Sequence, residues 1–154
     1  MSVRAEASIR RSRPADFPAV LALLRAAGLP SEDFAAGSPL AVWVREQDGI
    51  VAGAVALEGT GTESRLLRSL VVSPAHQRLG HAQALIAHAE AEARAQGVEQ
   101  LIILTETAQG LFERMGYRPI ERNAAPQSLQ ESAEFRHLCP ASAVCMAKRL
   151  GARA

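Results

Sequence analysis

At 154 residues, with 48% hydrophobic and 21% charged side chains, the chain has the size and composition of one globular domain, which excludes a disordered or fibrous architecture. Lys and Arg number 17 against 16 Asp and Glu, so a formal net charge of +1 gives no electrostatic reason to invoke nucleic acid or an anionic membrane as partner. Two cysteines, Cys139 and Cys145, exclude a disulfide scaffold or a four-cysteine zinc site and are expected as reduced thiols.

The polar N-terminus lacks an apolar core segment and no run approaches the roughly 18 apolar residues of a membrane span, which predicts a cytoplasmic protein with one domain over 1–154. Residues 5–12 give a weak strand that stops at Arg13-Pro14. From Asp16, Phe17, Val20, Leu21, Leu24 and Ala27 recur on one face of an amphipathic helix, ended by Gly28 and Pro30. Ser31 to Ala36 is expected to form a short second helix capped by Ser31, with a loop at Gly37, Ser38 and Pro39 before a strand that begins at Leu40 to Val44. Asp48-Gly49 suits a tight hairpin into Ile50–Leu57, because both residues tolerate positive φ.

After the loop Gly59–Thr62, SRLLRSLVV reads as a central strand ending at Ser73-Pro74. Leu79, Ala82, Ile86, Ala89 and Ala93 trace a helical stripe ended by Gly97, and Leu101–Thr105 follows as a buried strand. Thr107 is expected to cap a short helix holding Leu111, Phe112 and Met115, closed by Gly116, with Tyr117 to Ile120 extending beyond it. A last strand fits Ala143 to Met146. The order β-α-α-β-β-β-α-β-α-β implies an α/β fold of the mixed α+β kind, with helices on both faces of a mixed sheet.

The segment that carries chemistry is Leu67 to Ala82, LRSLVVSPAHQRLGHA, where an apolar strand runs through Ser73-Pro74 into a helix start. A helix N-terminus offers unpaired N–H groups and a positive dipole end, so it can hold a pyrophosphate without lysines, and this chain has one lysine, Lys148. By itself the pattern also fits an ordinary strand-to-helix turn. Gln77, Gly80 and Ala82 match the coenzyme A signature Arg/Gln-x-x-Gly-x-Gly/Ala, so the segment resembles the GNAT superfamily of N-acetyltransferases. Ala108 to Tyr117, AQGLFERMGY, resembles that family's later motif, and the resemblance extends over nearly the whole chain.

The resemblance implies a GNAT-like fold whose mostly antiparallel sheet is splayed at the fourth and fifth strands, with acetyl-CoA as cosubstrate and no metal. It assigns Leu70, Val71, Val72, Gln77, Arg78, Leu79, Gly80, His81, Ala82, Thr105 and Phe112 to coenzyme binding. Free backbone N–H groups of Leu70-Val71-Val72 are expected to hold the pantetheine and thioester carbonyl, with Val72 placed among the catalytic residues. Many relatives carry Tyr where Phe112 stands, that phenol often being placed to protonate the departing thiolate, a role Phe112 cannot take. Thr105 takes the place of an Asn at the end of the fifth strand, either as a site hydroxyl or as a strand-end partner.

Glu106 is the carboxylate nearest the end of that strand, as proton acceptor for the amine or as a solvated helix-start residue. Arg68 and Ser69 are the expected substrate-side residues, Arg68 either forking onto an acidic substrate or forming an ion pair. His81 and His88 lie about 10 Å apart along one helix and cannot share a metal, which leaves solvated or coenzyme-edge roles. His76 and His137 have no ligand partner at a recognised spacing.

The tail Ala124 to Met146, with Phe135 and LCPASA, resembles the arsenic-resistance acetyltransferases called ArsN, which implies a small amino-acid-like amine, including an arsenical glutamate analogue. Cys139 reads as a soft arsenic ligand or as a packed thiol. A protein N-terminal or side-chain acetyltransferase would share the coenzyme site but need an open groove. A non-catalytic acetyl-CoA sensor is the reading that Phe112 encourages. Exposed strand edges make a homodimer an expectation as well.

Overall fold

The computed structural model describes residues 7–29, 31, 40–130 and 142–151. Two compact units account for them, Met1–Ala56 with Ser69–Ala89 and Leu57–Arg68 with Glu90–Ala154. The expected helix at Ser31–Ala36 and most of the tail, with Phe135, His137 and Cys139, lie outside the described residues.

In the first unit, β1 (Ala7–Arg11) pairs antiparallel with β2 (Leu40–Gln47), Ala7 opposite Gln47 and Arg11 opposite Trp43. The hairpin to β3 (Ile50–Glu58) turns at Asp48 and Gly49, with φ of 54° and 78°, the two positive values a two-residue turn of this hand requires. One 3-10 turn, Pro14–Asp16, leads into α1 (Phe17–Ala26). Asp16 accepts from the Arg13 amide at 2.7 Å and from both terminal nitrogens of Arg10 at 2.8 and 3.0 Å, which satisfies a buried carboxylate at a helix start.

Alternation along β2 sends Val42 and Val44 to one face, where they join Val20 and Leu24 of α1, Ala54, Ala56 and Val71 in one core. Trp43 and Arg45 share the opposite face and meet the first half of α2 (His81–Ala95). The Trp43 ring is nearly buried there, with His88 edge-on at 5.9 Å and the Arg11 guanidinium 5.3 Å from its centre. Gly53 is required by space, since a Cβ there would sit 2.7 Å from the Val71 carbonyl oxygen and 3.1 Å from Leu85.

In the second unit, the start of β4 (Ser64–Val72) runs parallel to β5 (Gln100–Thr105), registering Ser64 with Gln100 through Leu66 with Ile102. β5 pairs antiparallel with β7 (Val144–Arg149), and β7 with the two-residue β6 (Arg118–Pro119). The strand order is β1-β2-β3-β4-β5-β7-β6, a mixed sheet as expected. Leu66, Ile102, Ala125, Leu129 and Cys145 form this unit's core, with α4 (Gln127–Gln130) supplying Leu129.

Three expectations are corrected. Leu79 is 60% exposed and precedes α2, so the buried stripe is Leu85, Ile86, Ala89 and Ala93. Thr107 does not cap α3 (Gln109–Arg114), which starts after Ala108, and it is the Thr105 hydroxyl that accepts the Ala108 amide at 3.0 Å. The last strand runs three residues further than its apolar stretch, to Arg149, because pairing with β5 continues past the sequence's apolar signal. Among the described residues no helix is long and apolar enough to cross a membrane.

Candidate active site

The end of β4 departs from regular strand geometry at Ser69, a buried residue with φ of 58°. Such a value in a non-glycine residue costs roughly 1–2 kcal/mol and marks a local kink. Val71 beyond it is buried, whereas Leu70 and Val72 are half-buried. The strand closes where the Ser73 amide donates to the Ala52 carbonyl at 2.7 Å.

A single turn at Pro74–His76 then leads to Gln77, whose side-chain amide donates to the Val72 carbonyl at 3.2 Å and ties the loop back to the strand. Arg78 and Gly80 both have positive φ, 67° and 81°, and Arg78 and Leu79 are exposed. The first intrahelical bond runs from the Ala84 amide to the Gly80 carbonyl at 3.1 Å, so the amides of His81, Ala82 and Gln83 precede it. There is no acidic side chain in the first turn of α2. A Cβ on Gly80 would meet nothing nearer than the Gln83 side chain at 3.9 Å, so the loop opens onto free space at its tightest backbone point.

His81, the first residue of α2, is 3% exposed, and its Nδ1 accepts from Arg45 Nε. Burial, then the charge of Arg45, then His76 hold its pKa below the ordinary histidine value, which favours the neutral ring. His76 stands edge-on to it at 6.0 Å, with its own Nδ1 3.3 Å from the Ser73 hydroxyl. Neither helix histidine is free in solvent, since His81 is buried and His88 is half-buried against Trp43.

In the second unit, Glu106 is exposed and accepts from the Ser142 hydroxyl at 3.1 Å. Phe112 is buried in edge-to-face contact with Tyr117, ring centres 5.1 Å apart. The Tyr117 hydroxyl donates to Glu90 at 2.9 Å, and Lys148 reaches both oxygens of the same carboxylate at 3.1 Å. Burial, then the Glu90 charge, push the Tyr117 phenol far above its ordinary range. Of the two readings of Arg68, the structure displays the ion pair: its side chain has no exposed surface and Nη1 donates to Glu58 at 3.0 Å. Cys145 is buried and its thiol is pushed up to about 11 by burial, so it is an inert packing group.

Sequence reasoning did not select Arg45 or Glu90. Arg45 was detectable only as the charged member of the Trp43 face of β2, and Glu90 only as an acid on the apolar stripe of α2. Among the described residues no group of three or more His, Cys, Asp or Glu is placed to hold a metal ion.

Residues 38–119 match the family described as acetyltransferase (GNAT) domain. An uncharacterised N-acetyltransferase of Chlorobaculum tepidum is 30% identical over 67% of this chain and 64% of its own length. An amino-acid acetyltransferase of Ralstonia nicotianae is 37% identical over 48% of this chain and 17% of its own length, so the chain spans less than two thirds of either relative. Among solved structures, N-acetylglutamate synthase from Neisseria gonorrhoeae, complexed with coenzyme A and N-acetylglutamate, superposes with a TM-score of 0.81 at 23% identity, over 97% of this chain and 36% of that one. With its family profile matched over more than half of its length, and with the β4 kink, the Gln77–Ala82 loop and the bare start of α2 in sequence order, this chain belongs to the GNAT acetyltransferase domain family.

Proposed function

We propose that this chain is a cytoplasmic N-acetyltransferase that uses acetyl-CoA to acetylate the primary amine of a small, amino-acid-like substrate. The observation that carries the reading is the loop Gln77–Gly80 at the start of α2: positive φ at Arg78 and Gly80, three amides ahead of the first helical bond, no acidic side chain, and open space at Gly80. Such a helix start is a ready anion site for a pyrophosphate. The amides of residues 78–82 would hold it, with Leu79 as an exposed apolar contact.

Acetyl-CoA supplies the activated thioester. The chain's part is alignment and charge: Ser73 N–H turns toward β3, so period-two alternation directs the Val72 N–H to the other edge, where it serves as oxyanion donor. The neutral amine attacks the carbonyl carbon, a C–N bond forms, the C–S bond breaks, and the amine proton leaves to a base, the role proposed for Glu106. Phe112 packs on Tyr117 and cannot protonate the leaving thiolate, which therefore takes its proton from solvent. Arg68, paired with Glu58, supports β4 beside Ser69 on the acceptor side.

The amino-acid-like acceptor is supported by the names of the relatives, and an arsenical glutamate analogue falls within the same class. The test is calorimetric titration of wild type and Gly80→Glu with coenzyme A, followed by a free-thiol release screen of acidic, neutral and arsenical amino acids. Gly80→Glu should abolish binding without unfolding the chain. Unchanged affinity would reject the site, and binding without turnover on any amine would favour the sensor reading.

A further inference from the structure

The anion loop is not self-supporting. Arg78 holds a left-handed backbone that disfavours non-glycine residues. Its two ends are instead joined by side chains. At its start, the Ser73 hydroxyl lies 3.3 Å from His76 Nδ1. His76 stands edge-on to His81 at 6.0 Å, and His81 is the first residue of the helix whose amides complete the loop. The chain ends on β2, where Arg45 Nε donates to His81 Nδ1. Arg45 sits on a paired strand, in register with Ile9 of β1, so its backbone is a fixed point.

We propose that Arg45 is a positioning residue for the coenzyme: its bond to His81 Nδ1 anchors the start of α2, and through His76 and Ser73 the whole loop, in the shape that presents amides to a pyrophosphate. The proposal rests on the coenzyme site argued above. Because Nδ1 accepts, the imidazole carries its proton on Nε2, which is buried without a partner among the described residues. An unpaired buried donor is a cost, so the ring's orientation is held by the Arg45 bond. Of the charged and titratable groups facing the ring, Arg45 comes from β2 and His76 from the loop.

Coenzyme A affinity is measured by calorimetry for wild type, Arg45→Met, Arg45→Lys, His81→Leu, the double variant Arg45→Met/His81→Leu, and Gly80→Glu. Amide hydrogen exchange is followed in the same proteins. Arg45→Met and His81→Leu should each weaken binding roughly tenfold, the scale of one lost charge-assisted hydrogen bond. The double variant should be no weaker than the worse single, because the two residues act through one contact. Arg45→Lys, which keeps a donor, should recover part of the loss. Exchange should quicken at the amides of residues 74–84 and not in β5 or β7, which a merely structural role would not produce.

Unchanged affinity in His81→Leu, or additive losses in the double variant, would overturn the proposal by reducing Arg45 to a distant charge. If Arg45→Met alone proves too unstable, His81→Leu and Arg45→Lys decide. Loss of binding in Gly80→Glu with wild-type binding in the Arg45 and His81 variants would leave the coenzyme site standing and remove the brace. Full binding in Gly80→Glu would remove both.

Discussion

Gly53→Ala separates two effects that pull in opposite directions. The φ of Gly53 is not in the left-handed region, so replacing it by alanine lowers the entropy of the unfolded chain and by that effect alone would stabilise the protein by about 0.4–1 kcal/mol. Against this, the new Cβ would stand 2.7 Å from the Val71 carbonyl oxygen and 3.1 Å from Leu85 Cδ1. Reaching ordinary contact at 3.4 Å means a retreat of about 0.7 Å by a backbone atom, the difference 3.4 − 2.7, which no side-chain rotation can supply. Overpacking of this kind costs roughly 1–3 kcal/mol, so the net expectation is a loss of about 1–2 kcal/mol, or roughly 2–8 °C in Tm for a domain of this size. The strand that must move is the one proposed to carry the oxyanion donor, so coenzyme A affinity should fall with stability. Thermal unfolding and calorimetry check both. Gly61→Ala is the control, because its Cβ would meet nothing closer than 4.0 Å, and it should be neutral or slightly stabilising. If Gly53→Ala is as stable as Gly61→Ala and binds coenzyme A as wild type does, the reasoning from close approach is refuted.

Glu90→Ala should cost about 3 kcal/mol in urea unfolding, near the lower end for a broken buried pair because Lys148 keeps some solvent contact, whereas Glu90→Gln, which still accepts from Tyr117, should lose less. A loss below about 1 kcal/mol in the alanine variant would show that the Tyr117–Glu90–Lys148 cluster is not a stability element. Asp16 is held below the ordinary carboxylate value first by its hydrogen bonds to Arg10, against burial. Its contribution is therefore complete above the ordinary pKa of 3.8 and is lost as pH falls through the lower folded value. Unfolding midpoints from pH 6 down to about 2 should fall less steeply in Asp16→Asn than in wild type, and parallel slopes would contradict the assignment.

Much of the architecture was legible in local signals. The stripe Phe17 to Ala27 and the stop at Gly28 locate α1, Asp48-Gly49 locates the hairpin, and SRLLRSLVV before Ser73-Pro74 locates β4, because each depends on periodicity or on a φ preference carried by the residue itself. The loop Gln77–Ala82 was legible for the same reason: the function proposed for it resides in backbone amides, and glycine at residue 80 is what a left-handed turn before a helix needs. Leu79 and Thr107 show where local pattern misleads. Leu79 fits the helical period but lies one residue before Gly80, whose carbonyl accepts the first helical bond, and Thr107 resembles a cap while Thr105 accepts from the Ala108 amide.

Tertiary structure decided which side chains find each other. Arg68 carries the same charge whether it faces a substrate or Glu58, and only the fold of β3 beside β4 places Glu58 at 3.0 Å. His81 gave no sign of a partner 36 residues upstream, because Arg45 reaches it through strand register and helix rotation together. The amino-acid sequence by itself determined the elements, the hairpin and the amide-lined loop, since these depend on interactions within a few residues. What the kink at Ser69, the burial of Phe112 on Tyr117 and the Arg45–His81 contact would be was decided by packing, where the energy of each group depends on residues distant in the chain.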